Sequence, residues 1–275
     1  MTEALNQTAL VTGASTGIGA VYADRLAHRG YDLVLVARDV ARLEALAARL
    51  RDETARAIQV LPADLTDRAD LARVAERLAG DAAVTLLVNN AGVSMTRDLI
   101  NSDVTEAERL IALNVTAPTV LASAAGRAFV ARAAGGGLGG AIINLSSVLA
   151  LNPEGFDGVY SGSKAYILNL SQSLAAQYGG KGLYVQAVLP GATRTEIWAR
   201  SGKDIDAFPA AMVMEADDLV DAALAGFDAR ETVTIPPLAD ADLAHFEAMQ
   251  AERQALAGGL SRREPAERYR VSEPA

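Results

Sequence analysis

Short apolar runs alternate with Ala- and Leu-rich segments of helical period along most of this 275-residue chain, and that alternation restricts the fold more than any other feature. A strand that is apolar at nearly every position needs cover on both faces. Helices between successive parallel strands supply it. The apolar runs fall at 8–12, 32–37, 58–63, 86–89, 140–146, 183–189 and 232–235. The helical segments fall at 17–29, 40–51, 68–79, 105–134, 159–178 and 216–225. The expected architecture is therefore α/β, with a doubly wound, seven-stranded parallel sheet and helices on both faces. Residues 1–240 read as one domain, in which the irregular stretch 196–215 forms a lid. Residues 241–275 read as a helical extension and tail.

Composition narrows the function. With 51% hydrophobic and 21% charged residues the chain has the apolar surface to fold as a globule. A formal charge of −9 without a dominant basic block argues against a nucleic-acid partner. The basic residues of the tail, Arg262, Arg263, Arg268 and Arg270, are interleaved with Glu264 and Glu267. The absence of cysteine and the presence of only two histidines, His28 and His245, speak against disulfides and a metal site. No run approaches the roughly 20 apolar residues of a membrane span, and the N-terminal residues carry no basic segment followed by an apolar one. A cytoplasmic protein with no membrane partner is expected.

The chemistry begins at Thr12-Gly13-Ala14-Ser15-Thr16-Gly17-Ile18-Gly19, which lies directly after the first apolar run and opens the first helical segment. Glycines there allow a tight turn and close backbone approach, while free N–H groups and the positive end of the helix dipole suit a pyrophosphate. A plain strand-to-helix turn is the alternative. The spacing differs from G-x-G-x-x-G: the first two glycines are four apart and the last two are two apart. This T-G-x-x-x-G-x-G form resembles the short-chain dehydrogenase/reductase family, whose fold is of Rossmann type.

The resemblance extends over ordered motifs between residues 12 and 195. It assigns Gly13, Ser15, Thr16, Gly17, Ile18 and Gly19 to a dinucleotide's phosphates. It gives Asp64 and Leu65 to the adenine ring, and Asn90, Ala91 and Gly92 of Asn89-Asn90-Ala91-Gly92 to the central region. Pro190, Gly191, Thr193 and Thr195 fall to the nicotinamide carboxamide. Asn89 alone also reads as a structural residue at a strand end, and Pro190-Gly191 as a simple turn. At the tip of the second strand, Ala37 stands where NAD-preferring members usually have an acid, and Arg38 follows. A guanidinium there binds a 2′-phosphate, so NADP(H) is favoured, with NAD(H) possible if Asp39 serves as the acid. A solvated Arg38 is the blander alternative.

Tyr160 and Lys164 lie four apart, on one face of a helix. A tyrosine, ordinarily near pKa ~10, is lowered by a neighbouring ammonium and by an oxidised nicotinamide, so Tyr160 is expected to exchange a proton near working pH. Alone, such a pair reads as helix surface. Ser147 stands thirteen residues before Tyr160, the interval of the family. The resemblance makes it the partner of the substrate oxygen, with Ser146 as the adjacent competitor. It adds Asn114 as a fourth catalytic residue in a proton relay, whereas Asn114 by itself reads as a back-bonding or kink residue. The reading is an NADP(H)-dependent oxidoreductase interconverting a carbonyl and a secondary alcohol, with Tyr160 and Lys164 also contacting cofactor. A catalytically idle dinucleotide-sensing protein is the alternative. Ile197 and Trp198 are the expected substrate contacts, with Phe208, Met212 and Met214 as further apolar candidates, which suits a small or hydrophobic ketone or alcohol. Family members usually associate through the long helices, so a homodimer or homotetramer is expected.

Overall fold

The computed structural model describes residues 7–155 and 157–269, so Arg270 of the tail lies outside the described residues. The chain divides into two compact units, one ending at Pro236 and the other starting at Pro237. In the first unit, β1 (Thr8–Thr12), β2 (Asp32–Ala37), β3 (Ile58–Pro62), β4 (Val84–Asn89), β5 (Gly140–Leu145), β6 (Leu183–Val188) and β9 (Val233–Thr234) form one sheet. Its order is β3-β2-β1-β4-β5-β6-β9 and every pairing is parallel. Two further short strands, β7 (Thr193–Arg194) and β8 (Met214–Glu215), pair with each other in parallel and bracket residues 195–213. The helices of this unit are α1 (Gly17–His28), α2 (Val40–Thr54), α3 (Arg68–Gly80), α4 (Val104–Ile111), α5 (Ala117–Ala134), α6 (Gly158–Tyr178), α7 (Ile197–Arg200) and α8 (Ala216–Asp228). The second unit contains α9 (Asp240–Gly258).

Strand alternation divides the core between the two faces of the sheet. On one face Ala9, Val11, Leu33, Leu35, Leu86 and Val88 pack with Tyr22 and Leu26 of α1, Leu43 of α2 and Leu219 of α8. On the other, Leu10, Val34, Val36, Leu87 and Ile142 meet Val74 and Leu78 of α3 and Leu121 and Phe129 of α5. The strand order reverses direction between β1 and β4, so their C-terminal ends open a crevice, which is where a doubly wound sheet receives its ligand. The Rossmann-type α/β fold expected from the sequence is the fold observed.

The single helix expected over 105–134 is instead two. Between α4 and α5 the backbone forms a π-helical turn over 112–116, in which the Ala117 N–H bonds to the Ala112 carbonyl, five residues back. Pro118 has no N–H to continue the ordinary ladder, and it opens α5. Asn114 sits in this widened turn. Among the described residues no helix is long and apolar enough to cross a membrane, and no group of three or more His, Asp or Glu side chains is arranged to hold a metal ion.

Candidate active site

The ends of β1 and β4 are knitted together by side chains. Thr12 Oγ1 accepts from the backbone N–H groups of Asn90 (3.0 Å) and Ala91 (3.1 Å) and donates to the Val88 carbonyl at 3.2 Å. Asn90 Nδ2 donates to the carbonyls of Thr12 (2.9 Å) and Gly13 (3.3 Å). This packing leaves no room for side chains in the turn. Gly13 and Gly17 have φ of 67° and 54°, in the left-handed region, and a Cβ on Gly19 would overlap the Gly13 carbonyl and the Asn90 amide. The result is a shallow, backbone-walled cradle at the N-terminus of α1. Ser15, Thr16, Gly17 and Ile18 line its floor, while Gly19 lies beneath it as a packing residue rather than on its surface. A cradle whose tight turn depends on glycines that could not carry a Cβ, at the N-terminus of a helix, fits the pyrophosphate of a dinucleotide.

From the cradle a cleft of about 730 Å³ runs towards Tyr160 and the lid. Arg38, Asp64, Leu65, Asn90, Ala91, Gly92, Ser147, Tyr160, Lys164, Pro190, Gly191, Thr193, Thr195, Ile197 and Trp198 all line it. At the tip of β2, Arg38 lies 3.6 Å from the Asp64 carboxylate. Burial works to raise the Asp64 carboxyl, but hydrogen bonds from Thr66 and the charges of Arg38 and Arg109 hold it below the usual range. Asp39 caps α2 by accepting from the Arg42 N–H at 3.0 Å, so its carboxylate is already engaged where the alternative reading needed it for a ribose.

At the opposite end, α6 begins at an Asp157 cap, which accepts from the Tyr160 N–H at 2.7 Å, and its first turns project Tyr160 and Lys164. The Ser147 side chain lies close enough to the Tyr160 phenol to act on it, while its Oγ accepts from the Leu149 N–H at 3.2 Å and donates to the Pro190 carbonyl at 3.4 Å. Ser146 is spent elsewhere: its hydroxyl donates to the Lys164 carbonyl at 2.7 Å. Lys164 Nζ donates to the Leu145 carbonyl at 2.9 Å and stands 5.5 Å from the centre of the Tyr160 ring. Burial pushes the Tyr160 phenol up to about 12, assisted by the Asp157 charge and opposed by the Ser147 side chain. Burial likewise draws Lys164 down to about 8. The lowering of Tyr160 expected from the i,i+4 pair is thus not produced by the chain's own groups, because desolvation outweighs them.

Asn114 is buried and does not reach the cleft. Its Oδ1 accepts from the Val93 N–H at 2.9 Å, and its Nδ2 donates to the Val93 carbonyl at 2.8 Å and to Ser163 Oγ at 3.3 Å. Gly92 passes close by: a Cβ there would stand 3.3 Å from Asn114 Oδ1 and 3.7 Å from Lys164 Nζ. From within the π turn Asn114 thus joins the loop after β4 to α6.

The lid is fastened by polar contacts. Trp198 Nε1 donates to the Thr193 carbonyl at 2.8 Å, and its ring meets Phe208 edge-on with centroids 5.2 Å apart. Lys203 Nζ reaches the loop after β4, donating to the Met95 carbonyl at 2.9 Å and Ser94 Oγ at 3.2 Å. Phe208, Met212 and Met214 are not on the cleft wall: Phe208 supports Trp198, Met212 is exposed and Met214 packs against the core. The sequence reading missed Thr12, Asp157 and Lys203. For Asp157 the signal existed, an N-cap residue three positions before Tyr160. For Lys203 nothing local could have revealed a partner 109 residues away.

Residues 7–206 match the family model for short chain dehydrogenase. The chain belongs to that family. It is 51% identical to a short-chain dehydrogenase from Sphingobium yanoikuyae solved in complex with NADPH, with 96% of this chain and 100% of that one covered and a TM-score of 0.91. The bulky-bulky ketone specific alcohol dehydrogenase from Comamonas testosteroni is 44% identical, with 96% and 98% covered and a TM-score of 0.86. 17-beta-hydroxysteroid dehydrogenase type 3 of Homo sapiens is 33% identical over 197 residues, 70% of this chain, and the match spans 61% of that longer relative. As a member of the short chain dehydrogenase family, the chain is an oxidoreductase.

Proposed function

We propose that this chain interconverts a bulky, apolar ketone and its secondary alcohol with NADP(H), and that Tyr160 moves the proton. The observation that carries the reading is the grouping of Ser147, Tyr160 and Lys164 at one end of a cleft whose other end is the glycine cradle. Gly13 to Gly19 would hold the pyrophosphate and Arg38 the 2′-phosphate. Asp64 and Leu65 would meet the adenine, and Asn90, Ala91 and Gly92 the middle of the molecule. Tyr160 and Lys164 would take the ribose, with Pro190, Gly191, Thr193 and Thr195 at the carboxamide. When bound, the dinucleotide supplies or accepts the hydride.

The chain's own groups handle the oxygen. Ser147 donates a hydrogen bond to it, and Tyr160 delivers the proton in reduction or removes it in oxidation. A phenol pushed up to about 12 is protonated at neutral pH, the form that donates. Lys164 sets the charge beside the phenol, and Asn114 positions the Val93 backbone and the loop that faces Tyr160. A dinucleotide sensor without turnover would not require Ser147, Tyr160 and Lys164 to be gathered at one point of the cleft.

The substrate class rests on the wall beside Tyr160, where Val93, Ile197 and Trp198 present apolar surface, and on the ketone preference in the name of the Comamonas testosteroni relative. We assign catalysis to residues 1–240, with 196–215 as lid, and treat 241–275 as an extension. Exposed Ile111, Val120 and Tyr166 on α4, α5 and α6 support association into a homodimer or homotetramer, which light scattering after size exclusion would measure. The test of function is a panel of ketones graded by bulk on both sides of the carbonyl, assayed with NADPH and NADH. Oxidation of NADPH that favours doubly bulky ketones is expected; turnover of none, or preference for NADH, would reject the reading.

A further inference from the structure

Glu196 opens the lid but points back towards the nucleotide end. Both its oxygens accept from Arg42 Nη1 at 2.8 Å, and one also accepts from Arg200 Nη2 at 2.6 Å. Arg42 lies in the first turn of α2, four residues beyond Arg38. Arg38, Asp39, Glu196 and Arg200 line the same cleft. The hydrogen bond from Arg42, aided by the charges of both arginines, holds the Glu196 carboxyl below its usual range. The lid thus lends an anion of its own to a guanidinium beside the tip of β2. Glu196 immediately precedes Ile197 and Trp198, so the carboxylate that meets Arg42 and the apolar wall belong to one short helix and its cap.

Resting on the NADP(H) reading above, we propose that Glu196 latches the lid to Arg42 and that the 2′-phosphate of the cofactor competes for Arg42 and releases it. Phosphate recognition and the shape of the substrate wall are coupled in this way. The energetics favour the exchange. Arg42 and Glu196 are each about half exposed, at 48% and 46% of the side-chain surface, and exposed ion pairs are weak. A phosphate carries more charge and offers a guanidinium fork several oxygens. A 2′-hydroxyl offers neither, so NAD leaves the latch closed.

Trp198 is the only tryptophan in the chain, which makes its emission a reporter of the lid. Adenosine 2′,5′-bisphosphate and adenosine 5′-monophosphate serve as probes, since they differ in the 2′-phosphate and lack the nicotinamide that would quench the indole. In the unmodified chain the bisphosphate should change Trp198 emission and the monophosphate should not. Glu196→Gln should begin with the changed emission and bind the bisphosphate about threefold tighter, with monophosphate affinity unaltered. Arg42→Gln should weaken the bisphosphate about tenfold, and the double variant should match it, because Glu196 acts through Arg42. Tighter binding of the bisphosphate with the same emission response to both nucleotides would overturn the latch while leaving the NADP(H) reading intact. So would a Glu196→Gln variant that shifts both affinities equally. Equal affinity of the unmodified chain for the two nucleotides would remove the NADP(H) reading and the latch together.

Discussion

The two ends of the cleft are built from different materials. At the nucleotide end, glycine backbone is pressed against the Asn90 amide and the Thr12 hydroxyl, and the Asn89, Asn144 and Ser171 side chains form a buried chain behind it. At the lid end, the wall is one short helix held by exposed arginines, one lysine and an indole hydrogen bond. Buried hydrogen bonds leave a costly orphan when one partner is removed, whereas exposed pairs leave little. The difference implies a rigid nucleotide end and an adjustable lid, and substitutions at the two ends should differ accordingly.

The largest effect belongs to the proton. Tyr160→Phe should lower kcat/KM for ketone reduction by about 10³-fold while nucleotide affinity changes little, as read by steady-state kinetics and calorimetry. Substantial turnover in a folded variant would end Tyr160's role. Next, Asn90→Ala deprives the Thr12 and Gly13 carbonyls of their donor and should cost about 2 kcal/mol of stability in urea titration, with nucleotide binding weakened in parallel. A neutral result would mean that the rigid end is less dependent on its side chains than its geometry implies.

Lys164, beside Tyr160 at the far end of the cleft from the cradle, is tested through pH. Its folded pKa of about 8 lies below the ordinary 10.5, so between these values the unfolded chain holds a proton that the folded one has lost, and stability rises with pH. Tyr160 acts oppositely: from about pH 10 to 12 the folded phenol keeps a proton the unfolded one loses, and stability falls. Lys164→Met should therefore shrink the rise between pH 8 and 10, leaving the part that comes from the likewise lowered Lys203, while retaining the fall above it. Parallel urea-derived profiles for the two proteins would contradict this. The smallest effect is expected at the lid, where Lys203→Met releases the Ser94 and Met95 contacts. It should raise the ketone KM by about threefold with kcat nearly unchanged. A loss approaching that of Tyr160→Phe would erase the contrast between the ends.

The same contrast decided what could be read from the sequence. The strands β1 to β6 announce themselves because they are mostly apolar and because all but β2 end in Gly, Asn, Ser or Pro or meet one within two residues. The cradle, Ser147, Tyr160 and Lys164 are legible because their partners lie within one turn of chain or at a recurrent interval. The π turn at Asn114 was hidden because the apolar period runs through it unbroken, with Pro118 as the one hint. The raised pKa of Tyr160 was hidden because burial belongs to the tertiary structure. The lid was least legible, since Arg42 and Glu196 are 154 residues apart and nothing local marks them as partners.

The short pair β7–β8 has a consequence for how such a molecule changes over generations. It pins residues 193–194 beside 214–215, so the stretch between them leaves and rejoins the body at adjacent points. Lengthening a loop whose ends are already fixed costs little, about 0.6 kcal/mol for each doubling. The stretch is therefore an exchangeable cassette. A segment of different length can be accommodated between the two strands while the large sheet, the glycine turn and Tyr160 stay in register.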